Sequence, residues 1–230
     1  MGKGPRLLLV HGSVLNGEAT WNAQRPLAER LELVVPNRRG FPPGPDVERV
    51  DFAAEAVWLE QFLVPGTHLV GQSYGGVIAL LAAARRPELL ASLTVIEPPA
   101  FDIARGHPAV DAFVAAGEAI SGDPESYLRD FLDLVGAPQP GHPLSPALLQ
   151  GARMLMVERP PWEAEILLEE LAAAPFPMLA VSGAHSAAFD AVCDVLEQRI
   201  GAERAVLPGA GHSPQRLGKP FNELLAAFIK

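Results

Sequence analysis

His68-Leu69-Val70-Gly71-Gln72-Ser73-Tyr74-Gly75-Gly76, followed by Val77-Ile78-Ala79-Leu80-Leu81-Ala82-Ala83-Ala84, decides the fold. A short apolar run, a glycine-flanked serine and a long apolar helix former read as strand, turn and buried helix. Gly-x-Ser-x-Gly at such a junction makes a sharp turn that lifts the serine hydroxyl above a sheet. A side chain at either flanking glycine would clash in so tight a turn. Arg85-Arg86-Pro87 closes the helix with basic residues and then proline.

Working outward, further apolar runs occur at Leu7-Leu8-Leu9-Val10, Leu31 to Val35, Leu93 to Ile96, Met178 to Val181 and Ala205 to Leu207. Continuous apolar runs suit parallel strands covered on both faces. Helical patterns alternate with them, as at Asp51 to Phe62 and Phe221 to Ile229. The alternation predicts an α/β fold, an open parallel sheet wrapped by helices. From about Ala100 to Ala174 the pattern is helical throughout, broken at Gly122-Asp123-Pro124, Gly136 to Pro146 and Pro160-Pro161. Such an insertion sits at the carboxyl ends of strands, where ligands bind. The expected organisation is a core of residues 1–99 and 175–230 with a helical cap over 100–174. Phe101, Phe113, Phe131, Leu134, Met154, Met156 and Trp162 are candidates to line a cavity under that cap, although apolar residues at helical spacing more often form core.

The totals bound the answer. A chain of 230 residues, 49% apolar and 20% charged, suits one large globular domain. A net charge of −9 argues against nucleic acid or an anionic membrane as a main partner. The single cysteine, Cys193, lies in a helical pattern as a small buried hydrophobe and forms no intrachain disulfide. The start, Met1-Gly2-Lys3-Gly4-Pro5-Arg6, lacks a signal-peptide run, and no apolar stretch is long enough to span a bilayer, so the cytoplasm is the expected compartment.

A serine hydroxyl needs a base within hydrogen-bond reach. His212, in Pro208-Gly209-Ala210-Gly211-His212-Ser213, follows the last strand on a glycine-rich loop and is the candidate base. His11 reads as structural, holding the loop after the first strand. The histidines show no His-Glu-x-x-His spacing, so neither metal nor cofactor is inferred. Acyl transfer also needs fixed donors for a developing oxyanion. The Tyr74 amide is one candidate, and the other comes from His11-Gly12-Ser13-Val14, with Ser13 preferred to Val14.

Taken together, Val10-His11-Gly12, Asn37-Arg38-Arg39-Gly40, the elbow, Gly209-Ala210-Gly211-His212 and the closing helix from Pro220 to Ile229 make the chain resemble the compact capped members of the α/β-hydrolase superfamily. The likeness covers nearly the whole chain and is specific to the superfamily, not to a substrate. It implies a serine hydrolase acting on a small or medium carboxylic ester, lactone or thioester through Ser73, His212 and an acid. Most relatives carry that acid as Asp in a Gly-x-x-Asp stretch after the penultimate strand. Here the stretch is Ser182-Gly183-Ala184-His185-Ser186, and Ser186 cannot carry the charge. Glu97, at the end of the preceding strand, is the preferred substitute, with Asp190, Asp102 or a Ser-His pair without an acid as alternatives. Two rival functions stay open: a C–C bond hydrolase or lyase on the same scaffold, and a non-catalytic binding module. The expected partner is a small acyl substrate, and the oligomeric state is not specified.

Overall fold

The computed structural model describes residues 4–229. The expectation about the leading Met1, Gly2 and Lys3 lies outside them. Six strands, all parallel, form one sheet: β1 (Arg6–Val10), β2 (Glu32–Val34), β3 (Thr67–Gln72), β4 (Leu90–Ile96), β5 (Met178–Ser182) and β6 (Glu203–Val206), in the spatial order β2-β1-β3-β4-β5-β6. Side chains alternate along each strand, and both faces are covered. Leu8, Val10 and Leu69 join one buried cluster, while Leu7, Leu9 and Val70 join the other with Trp21, Phe221 and Leu225. This is why the strands read as continuous apolar runs.

Nine helices connect and cover the strands among the described residues. Those next to the sheet include α1 (Gly17–Trp21), α2 (Phe52–Leu59) and α3 (Tyr74–Arg85). Between β4 and β5 come α4 (Pro108–Ala119), α5 (Pro124–Leu134), α6 (Pro146–Val157) and α7 (Leu168–Ala172), with no strand among them. After β5 follow α8 (Ala187–Ile200) and α9 (Lys219–Phe228). Proline at the first turn and a capping side chain start α5 and α6. Asp123 accepts from the amides of Glu125 and Ser126 ahead of α5, and Ser145 accepts from Leu148 ahead of α6. No helix of the described residues is long and apolar enough to cross a membrane.

The chain order turns back between β1 and β3: β2 lies on one side of β1, and every later strand on the other. Ligands of open α/β sheets bind outside the carboxyl ends at such a point. The loop after β1 and the turn after β3, which carry Ser13 and Ser73, both emerge there.

Candidate active site

Ser73 stands between β3 and α3 with φ 52° and ψ −126°, a conformation that non-glycine residues rarely adopt. Close packing enforces it. A Cβ at Gly71 would lie 2.3 Å from the Gly75 carbonyl oxygen, and one at Gly75 would lie 2.5 Å from the carbonyl oxygens of Val10 and His11. The first turn of α3 therefore sits directly on the end of β1, and the Ser73 amide donates to Ile96 of β4 at 2.8 Å.

His212 comes from the loop after β6, and its carbonyl accepts from Gln72 Nε2 at 3.1 Å. Its Nε2 lies 2.9 Å from Ser73 Oγ, and its Nδ1 lies 3.3 Å from Glu97 Oε2. The Phe189 ring packs 4.6 Å from the imidazole. Glu97 is buried at the end of β4 with φ 48°. Its amide donates to Val181 at 2.9 Å, and its Oε1 accepts from the Gly183 amide at 2.6 Å. The strained backbone and both anchors fix the carboxylate towards His212, as positive-φ residues at sites often do.

The structure thus brings together Ser73, His212 and Glu97. It engages the other two carboxylates elsewhere. Asp190 pairs with Arg204 at 2.8 Å and accepts from Ser182 Oγ. Asp102 accepts from the Ile166 amide at 3.0 Å. Ser186 occupies the N-cap position of α8.

Tyr74 is the first residue of α3, where backbone N–H groups have no intrahelical acceptor. Ser13 borders the same cavities as Ser73. Val14 has φ 72°, and its carbonyl packs so tightly on Gly151 of α6 that a Cβ there would lie 2.0 Å from it. The loop after β1 is therefore clamped by a helix of the β4–β5 segment.

Beneath that loop lies a buried charge cluster, of whose titratable members only His11 was given a role, a structural one, from sequence. The Arg38 guanidinium donates to Glu55 at 2.8 Å, to Glu158 at 2.8 Å and to the Gly12 carbonyl at 2.9 Å. Burial disfavours its charge, but the two carboxylates outweigh burial and raise its pKa. Burial pushes Glu55 and Glu158 upward, and Arg38 opposes the shift. Ser13 Oγ donates a short hydrogen bond to Glu158. His11 completes the cluster. Its Nε2 accepts from the Arg38 amide at 2.9 Å, so Nδ1 carries the proton and faces the Gly12 carbonyl at 2.8 Å. Burial and the neighbouring Arg38 push the His11 pKa down to about 3, keeping the ring neutral. The available sequence signal was Glu55, a carboxylate on the otherwise apolar face of Phe52-Ala53-Ala54-Glu55-Ala56.

His185 is the other neighbour that sequence left without a role. Its Nδ1 lies 3.5 Å from Glu97 Oε2, and its Nε2 lies 3.0 Å from the Val135 carbonyl at the end of α5. The only hint was its place in the stretch where relatives carry their acid.

Two cavities meet at Ser73. One of about 310 Å³ lies under the β4–β5 helices, lined among others by Phe113, Phe131, Leu134 and Trp162. The other, about 710 Å³, runs along the loop Gly209 to Ser213. Of the remaining cavity candidates, Phe101 and Met154 are core residues and Met156 faces solvent.

A strained serine turn at the switch point of a parallel α/β sheet, with a histidine on its hydroxyl, defines a hydrolase scaffold. The profile of the Alpha/beta hydrolase family matches residues 7–225, and the chain belongs to that family. A pimeloyl-[acyl-carrier protein] methyl ester esterase of Aeromonas hydrophila is 30% identical, over 99% of this chain and 96% of that protein. The enzyme of the same name from Methylococcus capsulatus is 32% identical over 74% of this chain and 67% of its own. Among solved structures, a lipase-esterase related protein from Clostridium acetobutylicum superposes with a TM-score of 0.73 at 15% identity, covering 98% of this chain and 95% of that one. An esterase from Rhodococcus shares the fold with a TM-score of 0.67 at 20% identity, covering 100% and 92%.

Proposed function

We propose that this protein is a carboxylic ester hydrolase working through Ser73, His212 and Glu97 and an acyl-enzyme. The observation that carries this is the continuous hydrogen-bonded line from Ser73 Oγ through His212 to Glu97 Oε2. The full-length likeness to a methyl ester esterase supports the same reaction class.

In this mechanism Ser73 Oγ attacks the ester carbonyl carbon while His212 Nε2 takes the hydroxyl proton. Glu97 holds the ring through Nδ1–H and stabilises the imidazolium. The carbonyl π electrons move onto oxygen, and the Tyr74 and Ser13 amides receive that oxyanion. The intermediate collapses, the C–O bond to the alcohol breaks, and His212 Nε2 returns the proton to the departing alkoxide. A water then gives its proton to His212 and attacks the acyl carbon. Collapse releases the acid and restores Ser73 Oγ–H.

The helical segment 100–174 acts as the cap of this site, closing the core formed by 1–99 and 175–230. The acyl chain occupies the apolar cavity under it, bounded by Phe113, Phe131, Leu134 and Trp162. The wider cavity beside Gly209 to Ser213 takes the alcohol. A cavity of this size and lining suits a small to medium acyl group.

The test is hydrolysis of p-nitrophenyl esters of increasing acyl length by the wild type and Ser73→Ala, with fluorophosphonate labelling alongside. Activity and labelling that both depend on Ser73 support the proposal. Equal activity in Ser73→Ala refutes it.

A further inference from the structure

Behind the nucleophile, three ligand atoms converge. Glu97 Oε2 lies 3.3 Å from His212 Nδ1 and 3.5 Å from His185 Nδ1, and all three fall within 4.8 Å of one another. The Val135 carbonyl can only accept, so His185 Nε2, 3.0 Å away, donates to it. His185 Nδ1 is the other ring nitrogen. It is buried, without a hydrogen-bond partner among the described residues. It faces the Glu97 carboxylate at 3.5 Å. A cation held between this nitrogen and the carboxylate, a proton or a metal ion, satisfies both.

The two separations from Glu97 suit a particular kind of cation. A tetrahedral zinc ion with bonds of about 2.0–2.1 Å sets its ligand atoms about 3.4 Å apart. The two separations from Glu97 Oε2 bracket that value. Two imidazole nitrogens and one carboxylate oxygen are the donors that zinc-class ions take, and not those that magnesium or calcium prefer. No sequence spacing announces the set, because its members come from the end of β4, the loop after β5 and the loop after β6.

We propose that Glu97, His185 and His212 form a binding site for a divalent transition-metal ion of the zinc class, with water in the fourth position, that switches the site off when filled. The ion takes the Nδ1 lone pair of His212, and the proton that sat there leaves to solvent. It also claims the Glu97 oxygen that orients the ring. His212 then no longer forms the imidazolium that ester cleavage needs. The inhibition rests on the proposed esterase mechanism, whereas metal binding does not.

The experiment uses the full chain, stripped with EDTA and dialysed. Ser73→Ala, which keeps all three ligands, is titrated with ZnCl₂ by calorimetry. One zinc per chain is expected, and adding His185→Phe, which keeps a ring against Phe189, weakens binding by about tenfold or more. His185→Ala, with its fold checked by circular dichroism, serves as the second variant. In the active enzyme ZnCl₂ should inhibit, EDTA should reverse it, and the inhibition constant should rise by a similar factor in both His185 variants. Absence of zinc uptake by Ser73→Ala, or uptake unchanged by both His185 substitutions, overturns the site. If no ester is hydrolysed at all, calorimetry still decides whether the metal binds, so the two proposals fail separately.

Discussion

Glu97 Oε1 accepts the Gly183 amide at 2.6 Å, so a carboxylate from the end of β4 closes over the loop after β5. That loop is where relatives carry their acid. On the proposed mechanism the neighbouring strand supplies the charge here, and the loop supplies the N–H that steadies it.

Glu97→Gln keeps the shape and an oxygen for Gly183 but loses the charge that stabilises an imidazolium. On the proposed mechanism kcat falls about a hundredfold or more, with KM little changed. Asp190→Asn and Asp102→Asn stay within about threefold of wild type, because both carboxylates are engaged elsewhere. Steady-state kinetics on one p-nitrophenyl ester compares all three.

Arg38→Met leaves Glu55 and Glu158 buried without their cation. Breaking a buried ion cluster by removing one partner costs about 3–5 kcal/mol. Urea unfolding of the variant should show a loss of this order.

His11 gives stability a pH dependence with a definite sign. Its ordinary value of 6.5 is pushed down to about 3 in the fold, so the unfolded chain binds the extra proton between those limits. The contribution is full above pH 6.5 and is lost as pH falls towards 3, on the order of 5 kcal/mol in all. Glu55 and Glu158, raised in the fold, act with the opposite sign, losing their contribution as pH rises above the ordinary 4.5. Comparing denaturant midpoints from pH 7 to pH 4 in wild type and His11→Gln isolates the histidine: the variant should show the shallower decline.

Trp162 borders the apolar cavity, and its ring lies 2.8 Å from where a Cβ on Gly117 would sit. Trp162→Ala should move the acyl-length optimum to longer chains, whereas Gly117→Ala should shorten it. A p-nitrophenyl ester series reads both shifts.

Cys193 is buried in α8, and burial pushes its thiol up to about 12. Ellman's reagent should leave it unmodified in the native protein and titrate one thiol in guanidinium chloride.

What the sequence made legible follows from the range of the forces involved. The serine turn is local: strand, glycines and helix former lie within twenty residues, so Ser73 could be placed directly. The edge strand β6 was read as Ala205 to Leu207 and lies at Glu203–Val206, because an edge strand is not clad on both sides and its apolar run is short. Glu97 could be preferred to Asp190 and Asp102 but the alternatives could not be closed, since its reach to His212 spans 115 positions. The Arg38 cluster joins residues 17 and 120 positions apart, and no period or motif encodes such a meeting.

That cluster also bears on how this protein can change. His11, Arg38, Glu55 and Glu158 come from four separate stretches, and each satisfies a group that would be stranded without it. Substitutions here should therefore be strongly non-additive: a change harmful alone becomes tolerable only after a partner has changed. The route to an apolar version passes through poorly folding intermediates. Variation by single steps is channelled instead into apolar cavity-lining side chains such as Phe131 and Leu134, whose replacement strands no buried charge.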